Sequence, residues 1–293
     1  MCIYQYFEIR RIFWGTTYKN LIDIFIVTHK TKKMIDESYK NHPVFIQLSE
    51  YAEFYKNLSF SIFSFVTQGT KAICNIDSYV YSSIQGTIES IRDILMKGRI
   101  NDAYALLRKY YDSVMINVYT NLYLQDNFSI ENFVVEKIDK WIKGEEKLPE
   151  YRVMSQYIRS SDKLSELNEL IYKDNRYKNI RDRCNDHTHY NFFQNMLCND
   201  NEIYLKNRLE LLNSFSKDLE NIFILHFAYI FYLNEHYMMS SDYIDSLECG
   251  MKPEEGSQYW VAPFIQKMFE KVIKKNRNDI AKAIRNKTSM QLV

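Results

Sequence analysis

Apolar residues recur along this chain with helical spacing, most sharply from residue 78 onward. Ile84, Ile88, Ile91 and Leu95 fall at i, i+4, i+7 and i+11, the stripe of one helix face. Gly98 ends that helix. Asn101 is suited to cap the next, which carries Ala103, Leu107, Tyr110, Val114 and Val118 to about residue 124. The two make a helical hairpin joined by a short turn. Ser129 is placed to cap a helix that runs through Trp141 and stops before the charged stretch Gly144-Glu145-Glu146-Lys147-Leu148-Pro149. Shorter helices are expected from about 151 to 173, then a polar helical segment over 175–193 and a turn at Asn199-Asp200-Asn201. A long helix follows from about 203 to 239, with Leu205, Leu209, Leu212, Phe215 and Leu219 on one face. A loop from Cys249 to Gly256 and two shorter helices close the pattern, while residues 17–75 show helical spacing with weak punctuation.

Composition points the same way. The chain has only 7 glycines and 4 prolines against 46% hydrophobic residues. Sheets need frequent tight turns, and tight turns need glycine and proline, so an all-α fold is expected. The formal net charge of +1 gives no global field toward nucleic acid; binding of that kind needs a local patch. Five scattered cysteines without a CxxC pair read as reduced thiols of a cytoplasmic protein. The N-terminal residues lack the basic start and apolar core of a signal peptide. The longest apolar run, Ile222 to Leu233, is interrupted by His226 and too short to span a bilayer, so a buried helix and no membrane association are expected.

Chemistry concentrates in one place. Arg181-Asp182-Arg183-Cys184-Asn185-Asp186-His187-Thr188-His189-Tyr190-Asn191 holds two of the six histidines beside two arginines. Metal-free RNA cleavage needs a base for the 2′-hydroxyl proton, an acid for the 5′-oxygen and cations for the phosphorane charge. Histidine suits the first two roles and the arginine fork the third. On a helix turning about 100° per residue, Arg181, Asn185 and His189 share one face and Arg183 and His187 the opposite one. An unbroken helix with one buried catalytic face uses only one of these sets. The competing reading is a solvated helix face with local ion pairs. No phosphate loop, dinucleotide-binding, GxSxG or HExxH pattern is present, and no cofactor or metal is expected. Cys184, His187, His189 and Cys198 are possible zinc ligands without paired spacing.

Arg181-Asp182-Arg183-Cys184-Asn185-Asp186-His187 resembles the arginine–polar–(three to five residues)–histidine signature of HEPN domains. Arg181 and His187 fit its spacing, while Arg183 and His189 have the same spacing with Cys184 after the arginine. Ala105-Leu106-Leu107-Arg108-Lys109-Tyr110-Tyr111-Asp112 resembles an early bundle helix of several HEPN-like groups, with Arg108 and Asp112 able to pair at i, i+4. The resemblance implies a HEPN-like four-helix bundle elaborated with extra helices at both ends. Residues 1–75 would form a helical extension, 76–240 the bundle, and 241–293 a loop and short helices packed on it. It further implies a metal-independent endoribonuclease of a bacterial defence or toxin–antitoxin system, working as a homodimer on RNA with a possible antitoxin or defence partner. Arg181, Arg183, His187 and His189 would be the catalytic candidates, with Asn185, Arg108, Asp112 and Tyr190 as substrate-binding candidates. The alternative is a catalytically inactive helical interaction or sensor module.

Overall fold

The computed structural model describes residues 35–63, 70, 76–199 and 207–293. Leu205, Asp200, Asn201 and the N-terminal patterns up to residue 34 lie outside these. The described chain is all-α. Its elements are α1 (Glu37–Lys40), α2 (Val44–Phe63), α3 (Ile76–Met96), α4 (Ile100–Asn127), α5 (Glu136–Ile142), α6 (Tyr151–Arg159), α7 (Ser165–Ile171), α8 (Arg176–Thr188), α9 (Phe193–Leu197), α10 (Arg208–Leu233), α11 (Asp242–Glu248), α12 (Pro263–Met268) and α13 (Asn278–Lys287). Among the described residues the one extended pairing is an antiparallel bridge between Met239 and Val261.

The α3–α4 hairpin forms as its periodicity dictates. Ile84, Ile88, Ile91 and Leu95 are fully buried. Gly98 adopts φ +74°, and its N–H closes on the Leu95 carbonyl at 2.8 Å. This left-handed conformation is the one that glycine tolerates at a helix end. Asn101 does not cap α4; it is the second helical residue and its side chain is buried. Ser129 does not start α5 either. Its hydroxyl accepts from the Asn132 N–H in a turn, and α5 begins at Glu136. Val135, at the cap position, is buried, so apolar docking rather than a polar cap sets that start.

α2, α3, α4 and α10 pack along one another around one apolar core. α10 carries the run that is apolar all round. From Ile222 to Phe231 no residue exceeds 2% exposure, the burial expected of a helix without a polar face. Among the described residues no helix is long and apolar enough to cross a membrane. Tyr51 stacks on Phe223 at 4.0 Å, which ties α2 to α10.

A polar chain crosses this core. Asp77 accepts hydrogen bonds from Asn117 (2.9 Å), Asn121 (2.7 Å) and the Tyr237 hydroxyl (2.6 Å). The Asn117 side-chain oxygen Oδ1 can only accept, so His226 donates to it from Nε2 at 2.9 Å. The His226 Nδ1 then accepts from the Tyr55 hydroxyl at 2.7 Å. Burial lowers the His226 pKa to about 3, against a smaller upward pull from Asp77. His226 is thus a neutral link between helices.

Candidate functional site

α8 carries the arginine–histidine cluster. Its start is fixed by Asp174, whose carboxylate accepts from the Arg176 backbone N–H at 2.9 Å and from its guanidinium. Its end is a Schellman turn: the Asn191 N–H reaches the Asp186 carbonyl at 3.0 Å and the Tyr190 N–H the His187 carbonyl at 3.4 Å. Tyr190 occupies the left-handed position at φ +50°, where a side chain other than glycine is strained by on the order of 1 kcal/mol.

The buried face of α8 is neither of the two polar sets. It runs through Tyr177, Ile180, Cys184 and His187, at i, i+3, i+7 and i+10. Arg181 and Asn185 follow one border of this stripe, and Arg183 follows the other. The helical arithmetic therefore places the arginines correctly relative to each other. What it could not supply is the rotation of the helix against its neighbours, because the stripe includes a buried histidine that reads as polar.

On the first border α8 runs antiparallel to α4. Arg181 Nη1 donates to Asp112 Oδ1 at 2.8 Å, and Arg108 Nε donates to Asp112 Oδ2 at 3.0 Å. Arg108 Nη1 also donates to Asn185 Oδ1. The Arg181 guanidinium lies 3.2 Å from the centroid of the Tyr151 ring, contributed by α6. Two cations thus share one carboxylate, the only one within ion-pair distance of either among the described residues. Tyr151 carried no sequence signal, since nothing local links it to residue 181. His189 stands at the end of this border as the C-cap, exposed to solvent, and Tyr190 beyond it is also exposed.

On the second border Arg183 grips Asp218 of α10 through both Nε (2.8 Å) and Nη2. Burial raises the Asp218 pKa and the Arg183 hydrogen bond and charge oppose it. Arg183→Met should therefore cost about 3 kcal/mol at neutral pH, since it leaves a buried carboxylate unpaired. Asp218→Asn should cost under about 1 kcal/mol, because the Arg183 side chain is 45% exposed and stays hydrated. Without Arg183 the carboxyl is held protonated more firmly, so the Arg183→Met deficit should shrink as pH falls toward 4 in urea unfolding curves.

His187 is 8% exposed and stacks on Tyr104 at 4.1 Å, with planes 7° apart. Its Nδ1 is 2.8 Å from Asn101 Oδ1, an acceptor, so Nδ1 carries the proton. Burial lowers its pKa to about 4, with Arg183 adding to this and Asp186 opposing it. The neutral ring keeps its lone pair on Nε2. Arg183 and His187 line one pocket of about 220 Å³ together with Asp186, Phe192, Gln194, Asn195, Leu197, Asn207 and Leu211. The structure thus brings Arg183 to His187 and Arg181 to Asn185, Arg108 and Asp112, but separates Arg181 from His187 across the buried stripe. Among the described residues no three His, Cys, Asp or Glu side chains converge as a metal ion would need. Compared with family models, curated proteins and solved structures, the chain shows no match.

Proposed function

We propose that this chain is a HEPN-like, metal-independent endoribonuclease of a bacterial defence or toxin–antitoxin system, built on a HEPN-like four-helix bundle and acting as a homodimer. The observation that carries the reading is the sharing of Asp112 by Arg108 and Arg181. One carboxylate leaves a unit of positive charge on two planar forks, and an RNA phosphate supplies the missing anion with matching geometry. Tyr151 holds one fork flat by stacking, and Asn185 orients the other.

In the reaction a base removes the 2′-hydroxyl proton, the 2′-oxygen bonds to phosphorus, and the bond to the 5′-oxygen breaks as an acid protonates that oxygen. The products are a 2′,3′-cyclic phosphate and a 5′-hydroxyl. His189 is the histidine on the Arg181 border and is open to solvent, so it takes the proton-transfer role; a second copy supplies the other. His187, neutral and tied to Asn101, has no spare proton to give.

RNA integrity after incubation with purified protein in EDTA tests this. Arg181→Ala is expected to slow cleavage by about 10²–10³-fold, the usual effect of losing one charge-stabilising donor. His189→Ala should slow it at least about 10²-fold. Intact RNA with the wild type, or cleavage abolished by EDTA, overturns the proposal. The second reading, an inactive interaction or sensor module, is favoured by the structural engagement of Arg183 with buried Asp218. It predicts wild type and variants alike in leaving RNA uncut.

A further inference from the structure

The pocket on the second border of α8 is unused by the reaction above, and its lining is chemically specific. At about 220 Å³ it is below the range of about 300–1,000 Å³ typical of drug-sized ligands, so it suits one ring system. Phe192 stands on its rim, 55% exposed, with a free face for stacking. Gln194 and Asn207 bring side-chain amides that make no hydrogen bond among the described residues. His187 Nε2 makes none there either, and the Asn101 bond fixes it as an acceptor. Arg183, which lines the pocket, uses Nε and Nη2 on Asp218, and its Nη1 makes no hydrogen bond among the described residues.

We propose that this pocket binds a single extruded nucleobase of a single-stranded RNA, with the ring on Phe192, a base N–H donated to His187 Nε2, and the adjoining phosphate on Arg183 Nη1. Every standard base has an N–H on its Watson–Crick edge, so one fixed acceptor engages any of them, and the amides of Gln194 and Asn207 can answer either donors or acceptors. His187 is then a reader of the substrate and not its acid or base. Its burial, which keeps it neutral, is what makes it a dependable acceptor. The strand would cross the C-terminal end of α8 beside His189, toward Arg181 and Arg108 on the other border. The exposed rings of Tyr190 and Phe193 lie along the same segment and extend the stacking surface. The inference rests on RNA being the substrate, and its test does not require cleavage.

The probes are nucleoside 5′-monophosphates and ribose 5-phosphate, titrated into the full chain labelled with ¹⁵N-histidine. Adenosine or cytidine monophosphate should bind about tenfold more tightly than ribose 5-phosphate and should move the His187 Nε2 resonance. Phe192→Ala, an exposed change that leaves folding intact, should remove that preference and leave the weak sugar-phosphate binding unchanged. Equal affinity for the two ligand types overturns the proposal, as does nucleotide binding that leaves His187 Nε2 unmoved. If nucleotides bind as described while RNA stays whole, the pocket stands and the ribonuclease reading falls. If RNA is cut with no base preference here, the reverse holds.

Discussion

Replacing Asp77 by leucine is expected to lower the free energy of unfolding by about 4 kcal/mol, with a fall in Tm of roughly 10 °C. Asp77 sits in the first turn of α3 at 1% exposure and, among the described residues, accepts three side-chain hydrogen bonds from two other parts of the chain. Leucine removes both acceptor oxygens, and with them these three bonds, at once. Two amide groups and a phenol would each lose a buried hydrogen bond, at about 1–3 kcal/mol apiece. The apolar surface that leucine buries offsets part of this, by up to about 2 kcal/mol. Asp77→Asn keeps one acceptor oxygen but turns an NH₂ toward other donors, so it should lose about half as much. Guanidinium unfolding followed by circular dichroism measures both. A loss under about 1 kcal/mol for Asp77→Leu would mean that the polar chain is dispensable to the core.

The second large effect is acid lability set by two histidines. His226 is lowered to about 3 and His187 to about 4, from an ordinary value of 6.5, both chiefly by burial. In the window from 6.5 down to about 4 the unfolded chain binds protons on both rings and the folded chain on neither. Unfolding is then favoured as pH falls; the stabilisation is complete above 6.5 and is lost on the way down. Two protons give a slope of about 2.7 kcal/mol per pH unit in the middle of that window. His187→Phe keeps the stack on Tyr104 and removes one of the protons, so its slope should be about half. Hydrogen-bonded carboxylates act lower. Asp36 and Asp174 are each held at about 2, chiefly by side-chain hydrogen bonds from Ser38 and Arg176 respectively, and their contributions are present above 3.8 and lost beneath it. Urea unfolding at several pH values between 7.5 and 4.5 separates the two regimes. A flat profile across that range would show that the histidines are charged in the folded protein.

The helices were legible wherever packing has a local period. The isoleucine stripe of α3, the Gly98 turn and the buried run of α10 all follow from spacing and turn chemistry. Asn101 was not legible: an asparagine near a helix start has the composition of a cap, yet its partner is His187 in a distant helix. Tyr151 was invisible for the same reason, as its contact with Arg181 depends on how α6 crosses α8. In α8 the spacing gave angles between residues, but the direction of the core came from Tyr177, Ile180, Cys184 and His187, only two of them plainly aliphatic or thiol-bearing. The pairing of Arg108 with Asp112 is local and follows from their i, i+4 spacing; the arrival of Arg181 on the same carboxylate is not local.

The antiparallel match of α8 to α4 has a consequence for how the fold chooses its own assembly. Asn101 meets His187, Arg108 meets Asn185, and Asp112 meets Arg181. Advancing α8 by four residues would bring its apolar stripe back toward the core, about 6 Å along, yet break all three contacts together. Its narrow apolar stripe would penalise such a slip only weakly, because greasy surfaces tolerate sliding. The polar contacts work like the teeth of a key: they add little adhesion, yet they separate the correct seating from its neighbours by several discrete steps.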